Sequence, residues 1–328
     1  MSKPPIAVLH DDLESHPALL AWRIFRSCEE PVQRIEVLRQ HGVNAVFRLV
    51  GVPAAADTVI AKRMPRAKAQ AERTMYERVL PHVPVAVPRY YGALAGDAPA
   101  SETWLFLEDV GSERYSDTHP EHLALTARWV AGLHGSASAV AAARELPDGG
   151  PDRYYRHLIA AAEKLEQRLS GPGLVRDDVT LLRGVADQVR GLASRWGDVE
   201  ELCGGLPATV VHGDFRPKNV YLRRTGNGLA CYPIDWETAG WGAPAADLTR
   251  IDVAAYWSAA REWVEGLSLD AVYRLAQVGQ VLRTIAAIDW ECTSLRFESR
   301  NLIIQSLASL AVLTPRLTEA IRMTGVAA

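Results

Sequence analysis

Between Gln33 and Leu107 the apolar residues fall in short β-type runs with turn residues between them, the pattern of a small sheet. The runs predict strands over Gln33 to Leu38, Asn44 to Val52, Thr58 to Met64, Arg89 to Ala93 and Thr103 to Leu107. One helix interrupts them. Ala71, Met75, Val79 and Leu80 stand at helical spacing within Ala67 to Leu80, and Pro81 and Pro84 stop the helix because proline has no amide hydrogen to continue the ladder.

After Asp109 the apolar period lengthens to that of amphipathic helices, predicted over His122 to Ala143, Asp152 to Leu169, Asp177 to Trp196, Ala246 to Val264, Leu269 to Thr293 and Ser299 to Met323. Three brief β-type runs lie among them, Ala208 to His212, Asn219 to Arg223 and Ala230 to Ile234, each ending at or beside a charged or titratable residue. Loops at such strand ends are where a rigid scaffold presents reactive groups. The expected organisation is α+β, with a small antiparallel sheet in 1–108 and a mainly helical part in 109–328. Apart from the Pro/Gly-rich link from Leu146 to Pro151 no biased tract stands out, and nothing argues for a linker between independent domains.

Composition narrows the function classes. A chain of 328 residues can bury the cores of two lobes. A net charge of −3 supplies no broad basic field, which argues against nucleic acid and anionic membranes as partners. Cys28, Cys203, Cys231 and Cys292 form no C-x-x-C pair, so neither a zinc site nor a disulfide framework is suggested. The apolar run from Pro4 to Leu9 is too short for a signal peptide, and Leu302 to Leu313 is interrupted and too short to span a bilayer. The chain reads as cytoplasmic, as a monomer or homodimer.

The chemistry concentrates in Val210-Val-His-Gly-Asp-Phe-Arg-Pro-Lys-Asn-Val, where an apolar strand runs into His212-Gly213-Asp214 and Asn219 follows five positions later. Sixteen positions beyond Asn219, the run Cys231-Tyr-Pro-Ile-Asp235 ends another strand in a carboxylate. Asp214, Asn219 and Asp235 make a hard-oxygen set. Such a set suits Mg²⁺, which takes few protein ligands and leaves room for phosphate oxygens.

HGDFRPKN followed by IDWETAGWGAPAADL resembles the catalytic and metal segments of the aminoglycoside phosphotransferase and choline kinase superfamily, which has the protein-kinase-like two-lobed fold. The resemblance runs in order from about Gln33 to Leu248. It implies that Asp214 accepts or orients the proton of the acceptor hydroxyl, that Asn219 and Asp235 bind Mg²⁺, and that Asp247 braces the catalytic loop. Arg216 stands where many protein kinases place a lysine on the transferring phosphate. Val59-Ile-Ala-Lys62 is similar to the strand whose lysine binds the α- and β-phosphates of ATP or GTP. Glu72 is its expected partner, with Glu77 on the same helix as rival. His41-Gly-Val-Asn44 matches the turn over the phosphates, and Leu107, Glu108, Asp109 and Val110 match the hinge whose backbone meets the purine.

Taken singly these residues have plainer readings: His212 as a core histidine, Lys62 with Glu72 as a surface ion pair, Asp235 as a turn residue. Their joint order carries the inference. The implied activity is transfer of the γ-phosphate of a nucleoside triphosphate to the hydroxyl of a small molecule, an aminoglycoside or nucleoside antibiotic or a related metabolite. A housekeeping kinase for choline, ethanolamine, homoserine or a sugar shares these motifs. A silent nucleotide-binding scaffold would be expected to have lost one of them. If Asp289 and Glu291 line the acceptor pocket, a cationic acceptor is favoured.

Overall fold

The structure, a computed structural model, describes residues 5–53, 57–96, 102–137, 139–226 and 228–326. In chain order its regular elements begin with β1 (Ala7–Leu9), α1 (Pro17–Arg26), β2 (Arg34–His41), β3 (Asn44–Val52), β4 (Asp57–Pro65) and α2 (Arg66–Thr74). Next come β5 (Tyr90–Ala95), β6 (Glu102–Glu108), α3 (Pro120–Ala137), α4 (Pro151–Leu169), α5 (Arg176–Ala193) and α6 (Trp196–Cys203). The series ends with β7 (Thr209–Val211), β8 (Val220–Thr225), β9 (Gly228–Pro233), β10 (Gly240–Gly242), α7 (Val253–Ala260), α8 (Leu269–Ser294) and α9 (Arg300–Thr324). They form two compact units that interleave in sequence, Met1–Leu146 with Phe215–Ala239, and Pro147–Asp214 with Gly240–Ala328. Among the described residues no helix is long and apolar enough to cross a membrane.

The first unit is built on a six-stranded sheet in the order β1-β2-β3-β4-β6-β5, every pair antiparallel. All five strands predicted between Gln33 and Leu107 are present, each within a few residues of its expected ends. β1 and α1 extend that set. Pro17 opens α1, the His16 ring accepts the Ala18 amide hydrogen at 3.2 Å, and Ser27 closes the helix in the left-handed region. Ala18, Leu19 and Trp22 on its buried face pack with Ile35, Phe47 and Phe106 of the sheet. Phe25 stacks on Phe106 at 5.0 Å, a contact that adds roughly 1 kcal/mol beyond area burial. It also explains Gly92: a Cβ there would lie 2.5 Å from the Phe25 ring.

The expected helix over Ala67 to Leu80 is divided. Regular α-helix ends at Thr74, a wider π turn covers Met75–Val79, and a 3₁₀ turn holds Leu80–His82. Such widened turns occur often at functional sites. This one sets Tyr76 flat on Tyr90, with ring centroids 5.4 Å apart.

In the second unit α4 packs on α5 and α8, and α9 packs on α8 and α5. These are four of the predicted amphipathic segments, and their apolar stripes meet in one helical core with Leu158, Leu182, Leu282, Ile285 and Leu310 fully buried. The stretch predicted as one helix over Ala246 to Val264 is instead a 3₁₀ turn, Pro244–Leu248, followed by α7. Asp252 lies between the two and caps the second, its side chain accepting the amide hydrogens of Ala254 and Ala255 at 3.0 Å each.

Gly279 of α8 lies hard against that 3₁₀ turn. A Cβ there would fall 1.9 Å from the Ala245 carbonyl oxygen, and neither the helix nor the turn is a flexible side-chain end that can yield. Gly279→Ala is therefore expected to destabilise the chain by about 3 kcal/mol, read from the denaturant midpoint. An unchanged midpoint would mean that α8 does not seat there.

Candidate functional site

Within the first unit, β4 carries Lys62 and α2 carries Glu72. The Lys62 ammonium lies 2.6 Å from Glu72 Oε2 and 2.6 Å from Asp235 Oδ1. Glu77, on the π turn, bonds instead to Arg73 at 3.0 Å and accepts from the Tyr90 hydroxyl at 2.7 Å. Of the two candidate glutamates, Glu72 is thus the partner of Lys62. It is fully buried.

Burial opposes the charge on Lys62, but the two carboxylates outweigh it and hold the ammonium protonated well above the usual lysine range. For Glu72 burial wins: it pushes the carboxyl up to about 7 against the pull of Lys62, with the charges of Asp235 and Glu237 adding to the rise. Charges of both signs converge there, since Arg39, Arg63 and Lys68 line the same pocket as Lys62, Asp235 and Glu237.

Asp235 and Asn219 come together through a hairpin. β8 and β9 pair with Val220 opposite Pro233, and the Ile234 amide donates to the Asn219 carbonyl at 2.9 Å. Asn219 immediately precedes the hairpin and Asp235 closely follows it, so both oxygen-bearing side chains emerge at its base. Asp235 has φ of +68°, a left-handed conformation that aspartate and asparagine tolerate better than most residues. Phe215 and Trp236 anchor the hairpin in the core, each with its ring centroid 6.1 Å from that of Trp129 on α3.

Asn44, Lys62 and Asp235 line one pocket with Glu237, Arg39 and Lys68. The last three carry no signal in the sequence, since a charged residue on a strand or helix has no spacing that marks a shared cavity. Leu107, Glu108, Asp109 and Val110 sit at the end of β6, outside the lining of that pocket. The Glu108 carboxylate meets Arg223 at 2.5 Å and accepts the Arg89 amide hydrogen at 2.9 Å. Asp109 meets the Arg48 guanidinium at 2.6 Å. Arg216 is half-buried ahead of the short turn Pro217–Asn219, its carbonyl accepting the Asn219 amide hydrogen at 2.8 Å.

Asp214 belongs to the second unit. It follows β7, which pairs with β10, and Gly213 supplies the turn with φ of +74°. Asp247 receives the amide hydrogens of His212 at 2.6 Å and Gly213 at 2.9 Å, so it braces that loop, as the resemblance implied. His212, fully buried, accepts the Asp214 amide hydrogen on Nδ1 at 3.3 Å. The carboxylate of Asp214 is gripped by Arg283 of α8. Nothing in local spacing signals that partner, which lies 69 positions along the chain.

Asp289, which would favour a cationic acceptor if it lined the acceptor pocket, has partners of its own. Burial works against its charge, yet bonds from His157 Nδ1 at 2.7 Å and Lys164 Nζ at 2.6 Å hold its carboxyl below the usual range. It is engaged by its own chain and is not a vacant counter-ion for a cationic acceptor.

A sequence profile described as the phosphotransferase enzyme family matches residues 35–288. Among curated proteins no sequence match is found. The fold is similar to that of an aminoglycoside 2'-phosphotransferase-IIIa mutant in complex with GDP, with 14% identity, a TM-score of 0.62 and 91% of this chain covering 97% of that one. A Plasmodium vivax ethanolamine kinase shares 14% identity at a TM-score of 0.56, over 87% of this chain and 82% of the other. Choline kinase from Cryptosporidium parvum Iowa II gives 12% identity and a TM-score of 0.58, over 89% and 92%. The expected α+β, protein-kinase-like fold is the one present, with a small antiparallel sheet in its first part and mainly helices in the second.

Proposed function

Since the chain belongs to the phosphotransferase enzyme family, we propose that it moves the γ-phosphate of ATP or GTP to a hydroxyl of an antibiotic of aminoglycoside or nucleoside type, or of a related metabolite, with Mg²⁺ as cofactor. The observation that carries this reading is the buried Glu72–Lys62–Asp235 arrangement, with Asn219 brought to the base of the same hairpin as Asp235.

In this reading residues 1–108 bind the nucleotide, and 109–328 supply the catalytic residues and the acceptor site. Lys62, steadied by Glu72, meets the α- and β-phosphates, and Asn44 lies beside them in the pocket. The side chains of Glu108 and Asp109 are engaged by arginines, so contact with the base falls to the backbone from Leu107 to Val110. Asn219 and Asp235 would hold Mg²⁺, whose donor preference and need for few protein ligands they match. Bound there, the ion would neutralise charge on the phosphates. Asp214 orients the acceptor hydroxyl and takes its proton as the new bond forms, and Arg216 offers a positive charge toward the transferring group.

Phosphoryl transfer passes through a loose transition state, so positioning and neutralisation matter more than a strong base. A carboxylate serves. The four cysteines are free thiols, which supports a reducing, cytoplasmic setting.

The test is release of nucleoside diphosphate from Mg-ATP and Mg-GTP against aminoglycosides, nucleoside antibiotics, choline and small alcohols, with Asp214→Ala as blank. Release that depends on one acceptor and vanishes in the variant is expected. Release of equal size in the blank would remove the assignment.

A further inference from the structure

The phosphotransferase reading makes Asp214 the group that meets the acceptor, and the role of its partner Arg283 rests on that reading. In the second unit, Arg283 of α8 donates one guanidinium N–H to Asp214 Oδ1 and another to the Gly213 carbonyl. Both side chains are shielded, with 11% and 8% of their surfaces exposed. The guanidinium is held on its other side by the indole of Trp290, 5.4 Å from the ring centroid. Positions 283 and 290 are two turns apart on one helix face, so the clamp is built into α8. His157 of α4 meets the Trp290 ring edge-on at 6.1 Å and supports it in turn.

The acceptor hydroxyl therefore approaches a carboxylate that already has a permanent cation on one oxygen. Nearby on the same helix, Asp289 could have balanced a positively charged acceptor. It is instead engaged by His157 and Lys164, and Lys164 also donates to the Thr293 hydroxyl at 2.9 Å. We propose that Arg283 is a specificity-determining residue: it selects alcohols whose reacting hydroxyl has a neutral or acidic neighbouring group, of sugar, nucleoside or hydroxy-acid type, and disfavours amino alcohols, so that of the acceptors named above it favours the nucleoside type over aminoglycosides with an amino group beside the reacting hydroxyl. An ammonium on the carbon beside the reacting hydroxyl would come within a few ångströms of the guanidinium, in a site too dry to screen two like charges. A hydroxyl or carboxylate in that place can accept from the same guanidinium.

The experiment presents the full chain, with Mg-ATP and Mg-GTP, with glycerol, uridine and glycerate on one side and ethanolamine, choline and 1-amino-2-propanol on the other. Asp214-dependent diphosphate release gives kcat/KM for each. The best compound of the first group is expected to exceed the best of the second at least tenfold. Arg283→Gln is expected to shrink that ratio about tenfold or more, whatever it does to the absolute rates, and Arg283→Lys to keep it. An ammonium-bearing alcohol as best acceptor of the unmodified chain overturns the inference, as does a ratio that Arg283→Gln leaves unchanged. Failure of the underlying reading looks different: release with the best acceptor would then persist in Asp214→Asn.

Discussion

Asp235→Asn is expected to lower acceptor-dependent diphosphate release by about a thousandfold or more, the order of loss when a charge that stabilises the transition state through a metal is removed. Asparagine is the informative replacement. It tolerates the left-handed conformation at φ of +68°, where alanine would add roughly 1–2 kcal/mol of strain unrelated to the chemistry. It also keeps an oxygen toward Lys62, which retains Glu72 as its charged partner, so the pocket should stay folded. Turnover is measured against Mg²⁺ concentration alongside thermal unfolding. A large drop that excess Mg²⁺ partly restores, with an unchanged melting temperature, is the expected pair of results. Full turnover in Asp235→Asn would strike Asp235 from the metal set.

Asp214→Asn is expected to cost about 10² to 10⁴ in kcat, the usual range for a positioned acid or base. A loss toward the lower end suits a loose transition state, in which the proton leaves late and the carboxylate mainly orients the hydroxyl. Affinity for Mg-nucleotide should hold within about twofold, because the residues assigned to phosphates and metal belong to the other compact unit. This contrast separates two kinds of failure in binding and rate measurements. A variant that loses nucleotide affinity has been damaged more widely, and one that keeps full kcat removes Asp214 from the reaction. The substitution also takes the counter-charge from Arg283, whose guanidinium is largely buried, so a stability loss of about 2 kcal/mol should accompany it.

Much of the fold is legible in the local period of the chain. β3 follows the predicted Asn44 to Val52 residue for residue, because alternation on a half-buried strand is a local property. α4, α8 and α9 likewise lie within one residue of their expected limits at every end. Where prediction and structure part, a competing local demand has won. The π turn at Met75–Val79 keeps the apolar spacing of a helix while changing its bonding. The segment before α7 has helical periodicity, but Asp252 caps and restarts it there. α1 and β1 lie ahead of Gln33, outside the stretch over which elements were predicted, although α1 itself has a clear amphipathic face of Ala18, Leu19, Ala21 and Trp22.

The positions of the candidate groups were legible for a related reason: Asp214 follows β7, Asn219 precedes β8 and Asp235 follows β9, so strand ends fix where they lie, while the roles proposed for them come from the resemblance. Partner choice among charges is different. Glu72, the expected partner of Lys62, and its rival Glu77 share one helical stretch, and the packing of α2 beside β4 and the turn after Asp235 sends the first to Lys62 and the second to Arg73 and Tyr90. Asp289 reads as an acidic position on a helix until α4 lays His157 and Lys164 against it. Arg283 reads as one more arginine until α8 brings it to Asp214. Spacing fixes which side chains share a strand or helix face; which charge meets which across tens of residues depends on how those faces pack, and no local pattern encodes that.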